Sequence, residues 1–157
     1  MRPKILTPSN LLRTVRRLHR QRKRIVFTNG TFDILHLGHV TYLQKAKASG
    51  DILIVGVNTD RSVKAYKDPN RPVNPQGDRI RVLTALECVD YAVLFGETTP
   101  LRLILKVRPD VLVKGADWAL GDIVGAKEVL AWGGRVKRIP IVRGRSSTRV
   151  IERLGLA

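Results

Sequence analysis

Residues 25–47 read IVFTNGTFDILHLGHVTYLQKAK. The stretch opens on Ile25–Asn29, a short run rich in β-branched and aromatic side chains, and closes on a helical pattern over residues 38–49. Gly50 follows that pattern as a C-cap residue. A strand that passes into a helix through a glycine-bearing turn is the first half of a βαβ unit.

The same grammar recurs along the chain. Ile52–Asn58, Tyr91–Phe95, Val111–Lys114 and Val136–Ile141 are nearly continuous apolar runs, the pattern of strands buried on both faces. Helical patterns lie near 78–88, 100–107, 122–132 and 147–155. Asp78 and Asp122 stand at N-cap positions and Pro100 at a first-turn position. Such alternation predicts a Rossmann-like, doubly wound, five-stranded parallel sheet with helices on both faces. Residues 1–157 read as a single domain. Residues 1–23 form its basic helical extension, where Leu11, Leu12, Val15 and Leu18 make an apolar stripe.

With 43% hydrophobic and 27% charged residues, the composition is that of a soluble globular chain. No apolar run approaches the ~18 residues of a membrane span, and the start lacks a secretory apolar region. Cys88, the single cysteine, has no internal partner and falls in a helical pattern, so it reads as a small buried hydrophobe. A reducing, cytoplasmic setting is expected.

The net charge of +16 predicts anionic partners: nucleic acid, acidic lipid or phosphorylated small molecules. The cations gather in two clusters. One holds Arg13, Arg16, Arg17, Arg20, Arg22, Lys23 and Arg24; the other holds Arg135, Lys137, Arg138, Arg143, Arg145, Arg149 and Arg153. Neither contains an aromatic side chain on which a base could stack, which argues against a dedicated nucleic-acid module.

In open parallel sheets ligands bind beyond the carboxyl ends of the strands. Four such segments are rich in chemistry: Gly30–His39, Asn58–Lys67, Gly115–Trp118 and Arg143–Thr148. Lys67–Gly77, with its prolines and asparagines, is the one long loop, a flap or binding loop. His36 and His39, two of only three histidines, flank Gly38 in the first segment.

Three uses of that pair compete. As zinc ligands they would be half of a site that needs about four, and His19, Cys88 and the carboxylates do not complete it by spacing. They could also be satisfied side chains in a packed turn. The phosphate reading fits the local physics better, because glycines admit a close ligand and a helix start offers free N–H groups and a positive dipole end. The chain has no G-x-x-x-x-G-K-[ST] loop, no G-x-G-x-x-G fingerprint and no G-x-S-x-G elbow.

GTFDILHLGH resembles the H-x-G-H signature of the nucleotidylyltransferase superfamily. VGVNTDRSVK, NRPVNPQGDRIRVLTALECVDYAVLF, TTPLRLILKVRPDVLVKGADW and RGRSSTRVIERL extend the likeness over residues 24–155. Together they are similar to bacterial D-glycero-D-manno-heptose 1-phosphate adenylyltransferases. Thr31 stands where those enzymes commonly carry Cys, SST replaces STT, and Arg145 takes a place usually aromatic or aliphatic. GTFD with ADW is equally similar to glycerol-3-phosphate cytidylyltransferases, which keeps that activity open as the alternative. A non-enzymatic nucleic-acid-binding module is a more distant one.

The resemblance implies transfer of AMP from ATP to the heptose 1-phosphate, giving ADP-heptose and pyrophosphate for lipopolysaccharide inner-core or a related heptose glycan. It implies Mg²⁺ carried by the phosphates, no metal held mainly by protein, a homodimer, and a separate heptose kinase upstream. Neither a membrane nor nucleic acid is an expected partner. His36, His39, Lys64 and Arg79 are the implied catalytic groups. Asn29, Gly30, Thr31, Phe32, Gly38, Lys114, Gly115, Asp117, Trp118, Arg143, Ser146, Ser147 and Thr148 would bind the nucleotide. Asp33, Asp60 and Lys67 would meet the sugar phosphate, although a helix-cap role for either aspartate and a packed-core role for Trp118 stay open.

Overall fold

A computed structural model describes residues 3–67, 70–142 and 144–155. The strands are β1 (Ile5–Leu6), β2 (Ile25–Gly30), β3 (Ile52–Asn58), β4 (Tyr91–Phe95), β5 (Val111–Gly115) and β6 (Arg135–Ile139). The helices are α1 (Pro8–Arg20), α2 (Leu37–Lys47), α3 (Asp60–Tyr66), α4 (Gln76–Ala85), α5 (Leu101–Val107), α6 (Ala126–Ala131) and α7 (Ser147–Arg153).

All strand pairs are parallel, in the order β1-β4-β3-β2-β5-β6. Period-two alternation splits the core between the two faces. Ile25, Phe27, Ile54 and Leu112 pack with the buried faces of α1, α5 and α6. Val26, Leu53, Val55, Val57, Val111 and Val113 pack with α2 and α4 on the other side. The chain runs outward from β2 through β3 to β4, then returns to the far side of β2 for β5 and β6. The strand order therefore reverses beside β2, where a ligand crevice is expected.

The sheet has six strands, not the five predicted. The extra one, β1, is two residues long and pairs with the β4 edge, too short to show any period. The N-terminal segment is sewn into the core, because Leu6, Leu11, Val15 and Leu18 are all buried in the α5/α6 layer. The last strand ends at Ile139 and is an edge strand, with Arg135, Lys137 and Arg138 exposed. Charge there discourages pairing with another chain.

Several element boundaries differ from the sequence pattern. Helix α4 begins at Gln76 after Pro75, which puts Asp78 in its first turn, not at its cap. Asp122 lies in a separate 3-10 turn, and α6 starts after Gly125, held at φ 86°. Pro100 caps α5 from just outside it. Ala48, not Gly50, is the C-cap of α2. Helix α3 occupies the segment that looked like a strand-end loop, started by Thr59, whose hydroxyl accepts from the Ser62 N–H.

Candidate active site

The β2–α2 turn begins at the crevice. Gly30 ends the strand, and Phe32 takes a left-handed conformation at φ 48°, which turns the chain back over the strand end. His36 then caps α2 in an extended conformation, and its carbonyl accepts from the N–H groups of His39 and Val40. The two imidazoles stack with ring centroids 3.9 Å apart and planes 25° from parallel. Phe32 meets the edge of His39 at 5.3 Å. Gly38 is required by this packing: a Cβ there would sit 2.9 Å from the His36 ring.

Neither Nδ1 of the pair has a hydrogen-bond partner among the described residues, though both are buried. Burial lowers the His39 pKa to about 4, helped by His36 and Lys67 and opposed by the main chain at Ile34. His36 is lowered too, by burial and then by the Arg145 charge. Both rings are therefore neutral near pH 7 in the free protein. Buried, unsatisfied ring nitrogens cost free energy that a ligand can recover.

These groups line a cleft of about 350 Å³. Of the residues expected to bind ligand, Asn29, Gly30, Thr31, Phe32, His36, Gly38, His39, Lys67, Lys114, Gly115, Trp118, Ser146, Ser147 and Thr148 all reach it. They come from the ends of β2 and β5, the start of α2, the end of α3 and the start of α7. A second lobe of about 440 Å³ shares Asn29, Gly30, Thr31, Lys67, Lys114 and Trp118 and adds Asn58, Thr98 and Thr99.

Lys114 is the most perturbed lysine of the rim. Burial lowers its pKa to about 8 against the pull of Asp117, and its Nζ lies 6.0 Å from the Trp118 ring. Burial, with the Arg71 charge behind it, also lowers Lys67. Trp118 is 48% exposed, so it is a cleft wall and not core. Ser146 is the N-cap of α7, its hydroxyl accepting from the Arg149 N–H, and the Ser147 hydroxyl donates to the Ile34 carbonyl at 3.1 Å. Thr148 keeps an exposed place at the rim.

Three expected ligand groups have other duties, and a fourth lies away from the cleft. Arg79 is buried and donates to the carbonyls of Asn74, Thr31 and Asn58 and to Asp60 Oδ1, so its guanidinium braces two strand ends and the loop before α4. Asp33 accepts from Arg71 Nε and from the N–H groups of Val73 and Asn74, which pins the described part of the long loop. Asp60 is committed to Arg79 at 2.8 Å. Lys64 is exposed on α3 and lines neither lobe. Asp117 folds over Gly115 beside the cleft, and Arg143 lies outside the described residues.

The structure also adds residues that the motifs did not single out. Tyr42, one helical step past His39, lines the cleft; its hydroxyl shares a 2.7 Å hydrogen bond with Thr28 and donates to the Val113 carbonyl. Burial pushes its pKa up to about 12. The i, i+3 spacing from His39 was the available signal. Arg71 and Arg145 line the cleft, and Thr98–Pro100 line the second lobe. That last segment follows β4, the one predicted strand whose carboxyl-end loop had not been singled out. Among the described residues no three His, Cys, Asp or Glu side chains gather as a metal site, and no helix is long and apolar enough to cross a membrane.

A crevice at the strand-order reversal, lined by stacked histidines and by Lys67 and Lys114, lies where doubly wound α/β folds take their ligands. The chain belongs to the cytidylyltransferase-like family, whose sequence profile matches residues 27–153. Among particular relatives, it is 52% identical over 151 residues to the bifunctional protein HldE of Methylobacillus flagellatus, covering 96% of this chain and 31% of that one. Against the protein of the same name from Nitratiruptor the identity is 56% over 140 residues, covering 87% and 29%. The chain thus spans about a third of the length of these curated relatives.

The crystal structure of a lipopolysaccharide core biosynthesis protein from Thermoplasma volcanium is 30% identical with a TM-score of 0.61, covering 78% of this chain and 99% of that one. A pantoate-beta-alanine ligase from Francisella tularensis shares the fold at a TM-score of 0.67 and 17% identity, covering 94% and 72%.

Proposed function

We propose that the chain transfers the AMP moiety of ATP to D-glycero-D-manno-heptose 1-phosphate, releasing pyrophosphate and ADP-heptose for lipopolysaccharide-type glycan synthesis. The observation that carries this reading is the cleft itself: His36, His39, Lys67 and Lys114 converge on one rim with no carboxylate paired to them among the described residues. The family match, the motif likeness to heptose 1-phosphate adenylyltransferases and the likeness to the Thermoplasma volcanium protein narrow the substrate class.

The chemistry asks little of proton transfer. A sugar phosphate is largely dianionic at pH 7, its second pKa being about 6. One of its oxygens attacks the α-phosphorus in line, and the bond from that phosphorus to the bridging oxygen breaks toward pyrophosphate. The protein's work is to align two polyanions and to stabilise charge as it moves to the leaving group. The two imidazoles donate to phosphate oxygens, and the free N–H groups in the first turn of α2 face the same charge. Lys67 and Lys114 offset the repulsion between the reactants.

Mg²⁺ would arrive on the triphosphate, where it screens charge between phosphates. That fits a rim whose carboxylates Asp33 and Asp60 are already committed to Arg71 and Arg79. The deciding experiment measures pyrophosphate release from ATP and from CTP over a panel of sugar and polyol phosphates. Release with ATP and the heptose phosphate supports the reading; release only with CTP and glycerol 3-phosphate replaces it with the cytidylyltransferase alternative.

A further inference from the structure

The family likeness gives no role to two cations of the cleft, Arg71, which is tied to Asp33, and Arg145. Arg145 lies on the cleft with His36, Gly38 and Thr148. Its Cβ is 3.4 Å from where a Gly38 Cβ would be, so the arginine is seated directly over the first turn of α2. Gly144, at φ 74°, turns the chain just before it, and the Ser147 hydroxyl bond to the Ile34 carbonyl ties the segment after it to the β2–α2 turn. No ion pair engages Arg145 among the described residues. Its charge reaches the cleft interior, since it is felt at His36.

We propose that Arg145 is a further catalytic residue of this cleft, placing a fixed positive charge on the pyrophosphate that leaves. The inference rests on the nucleotidylyl-transfer reading above. As the bond from the α-phosphorus to the bridging oxygen breaks, its electron pair stays on that oxygen and the pyrophosphate gains one negative charge. Neutral imidazoles donate hydrogen bonds to that charge but do not balance it. A guanidinium does both, and its planar fork can hold two phosphate oxygens at once. An aliphatic or aromatic side chain at the same position would fill the space and carry no charge.

The test compares the wild-type chain with Arg145→Ala and Arg145→Lys. Calorimetry with inorganic pyrophosphate, steady-state kinetics and an NMR titration of His36 supply the readouts. Arg145→Ala should weaken pyrophosphate binding about tenfold or more and lower kcat about 10–100-fold, with KM for the sugar phosphate unchanged. The His36 pKa should rise in the same variant, and Arg145→Lys should restore most of the binding. An active wild type whose Arg145→Ala variant keeps pyrophosphate affinity and kcat overturns the role of Arg145 alone. A wild type that neither binds pyrophosphate nor turns over any nucleoside triphosphate overturns the transfer reading and this role together.

Discussion

At the amino ends of the strands, Arg22, Lys23, Arg24, Arg135 and Lys137 stand exposed around two further clefts. Carboxylates are interleaved with them and fasten the main chain: Asp51 accepts from the Arg24 N–H, Asp110 from the Ile25 N–H, and Asp90 from both the Leu53 N–H and Lys47, each at 2.7 Å. At the carboxyl ends two of the acids are turned away. Asp33 and Asp60 are tied to Arg71 and Arg79, while Lys67, Lys114 and Arg145 share a cleft without a carboxylate paired to them. Cations brought together and partly desolvated without counterions repel one another, and a bound polyanion relieves that cost. Positive charge alone does not mark the site; positive charge gathered in a cleft that no carboxylate lines does.

The sharpest way to break this contrast is to unmake a pairing that keeps acids out of the cleft. Arg79→Met would leave the Asp60 carboxylate and three carbonyls without their buried donor. The expected loss is about 3–5 kcal/mol of stability, read from urea unfolding. A loss below about 1 kcal/mol would mean that Arg79 is free to serve a ligand after all.

Next in size are the unpaired donors themselves. His36→Ala and His39→Ala should each lower kcat about 10²–10³-fold while the circular dichroism spectrum stays native. The rings are stacked with their Nδ1 atoms unpartnered among the described residues, and Gly38 leaves room for the His36 ring. Full turnover in either variant removes the histidines from the chemistry.

Much of the fold was legible because burial on two faces writes itself as long apolar runs, as in Ile52–Asn58, where only the first residue is not fully buried. What was not legible had no period to show: β1 is two residues long, and α3 is seven residues pressed against a strand end. The H-x-G-H turn, Lys114 and Trp118 were legible as cleft residues because their strand-end position alone places them. Asp33, Asp60 and Arg79 occupy equally good positions and still face inward. Their orientation is decided by partners far along the chain, 38 residues away for Asp33 with Arg71 and 48 for Arg79 with Thr31. A carboxylate at a strand end looks the same in sequence whether it awaits a sugar or holds a loop.

A smaller effect sharpens the contrast by pH. Lys114 is charged below about 8 and loses its proton above that, because its burial favours the neutral form. The free protein should therefore lose affinity for nucleoside triphosphate as pH rises through 8, giving a fall of about tenfold in kcat/KM. Bound phosphates raise the pKa again, so kcat should change little over the same range. Lys114→Arg should abolish the alkaline limb; if it persists in that variant, the limb belongs to another group.

The smallest effect is expected at the amino rim, and it is the control on which the contrast rests. Lys23→Ser with Arg135→Ser removes two exposed cations that make no ion pair among the described residues. Stability should move by no more than about 0.5 kcal/mol per site, and turnover should not move at all. The same pair tests whether this rim has a use of its own. Fluorescence anisotropy with duplex DNA should show binding by the wild type that disappears as salt approaches the physiological range, the behaviour of diffuse charge. Binding that survives there, and is lost in the double variant, would make the amino rim a second functional surface and end the claim that only the cleft without a carboxylate in its lining takes an anion.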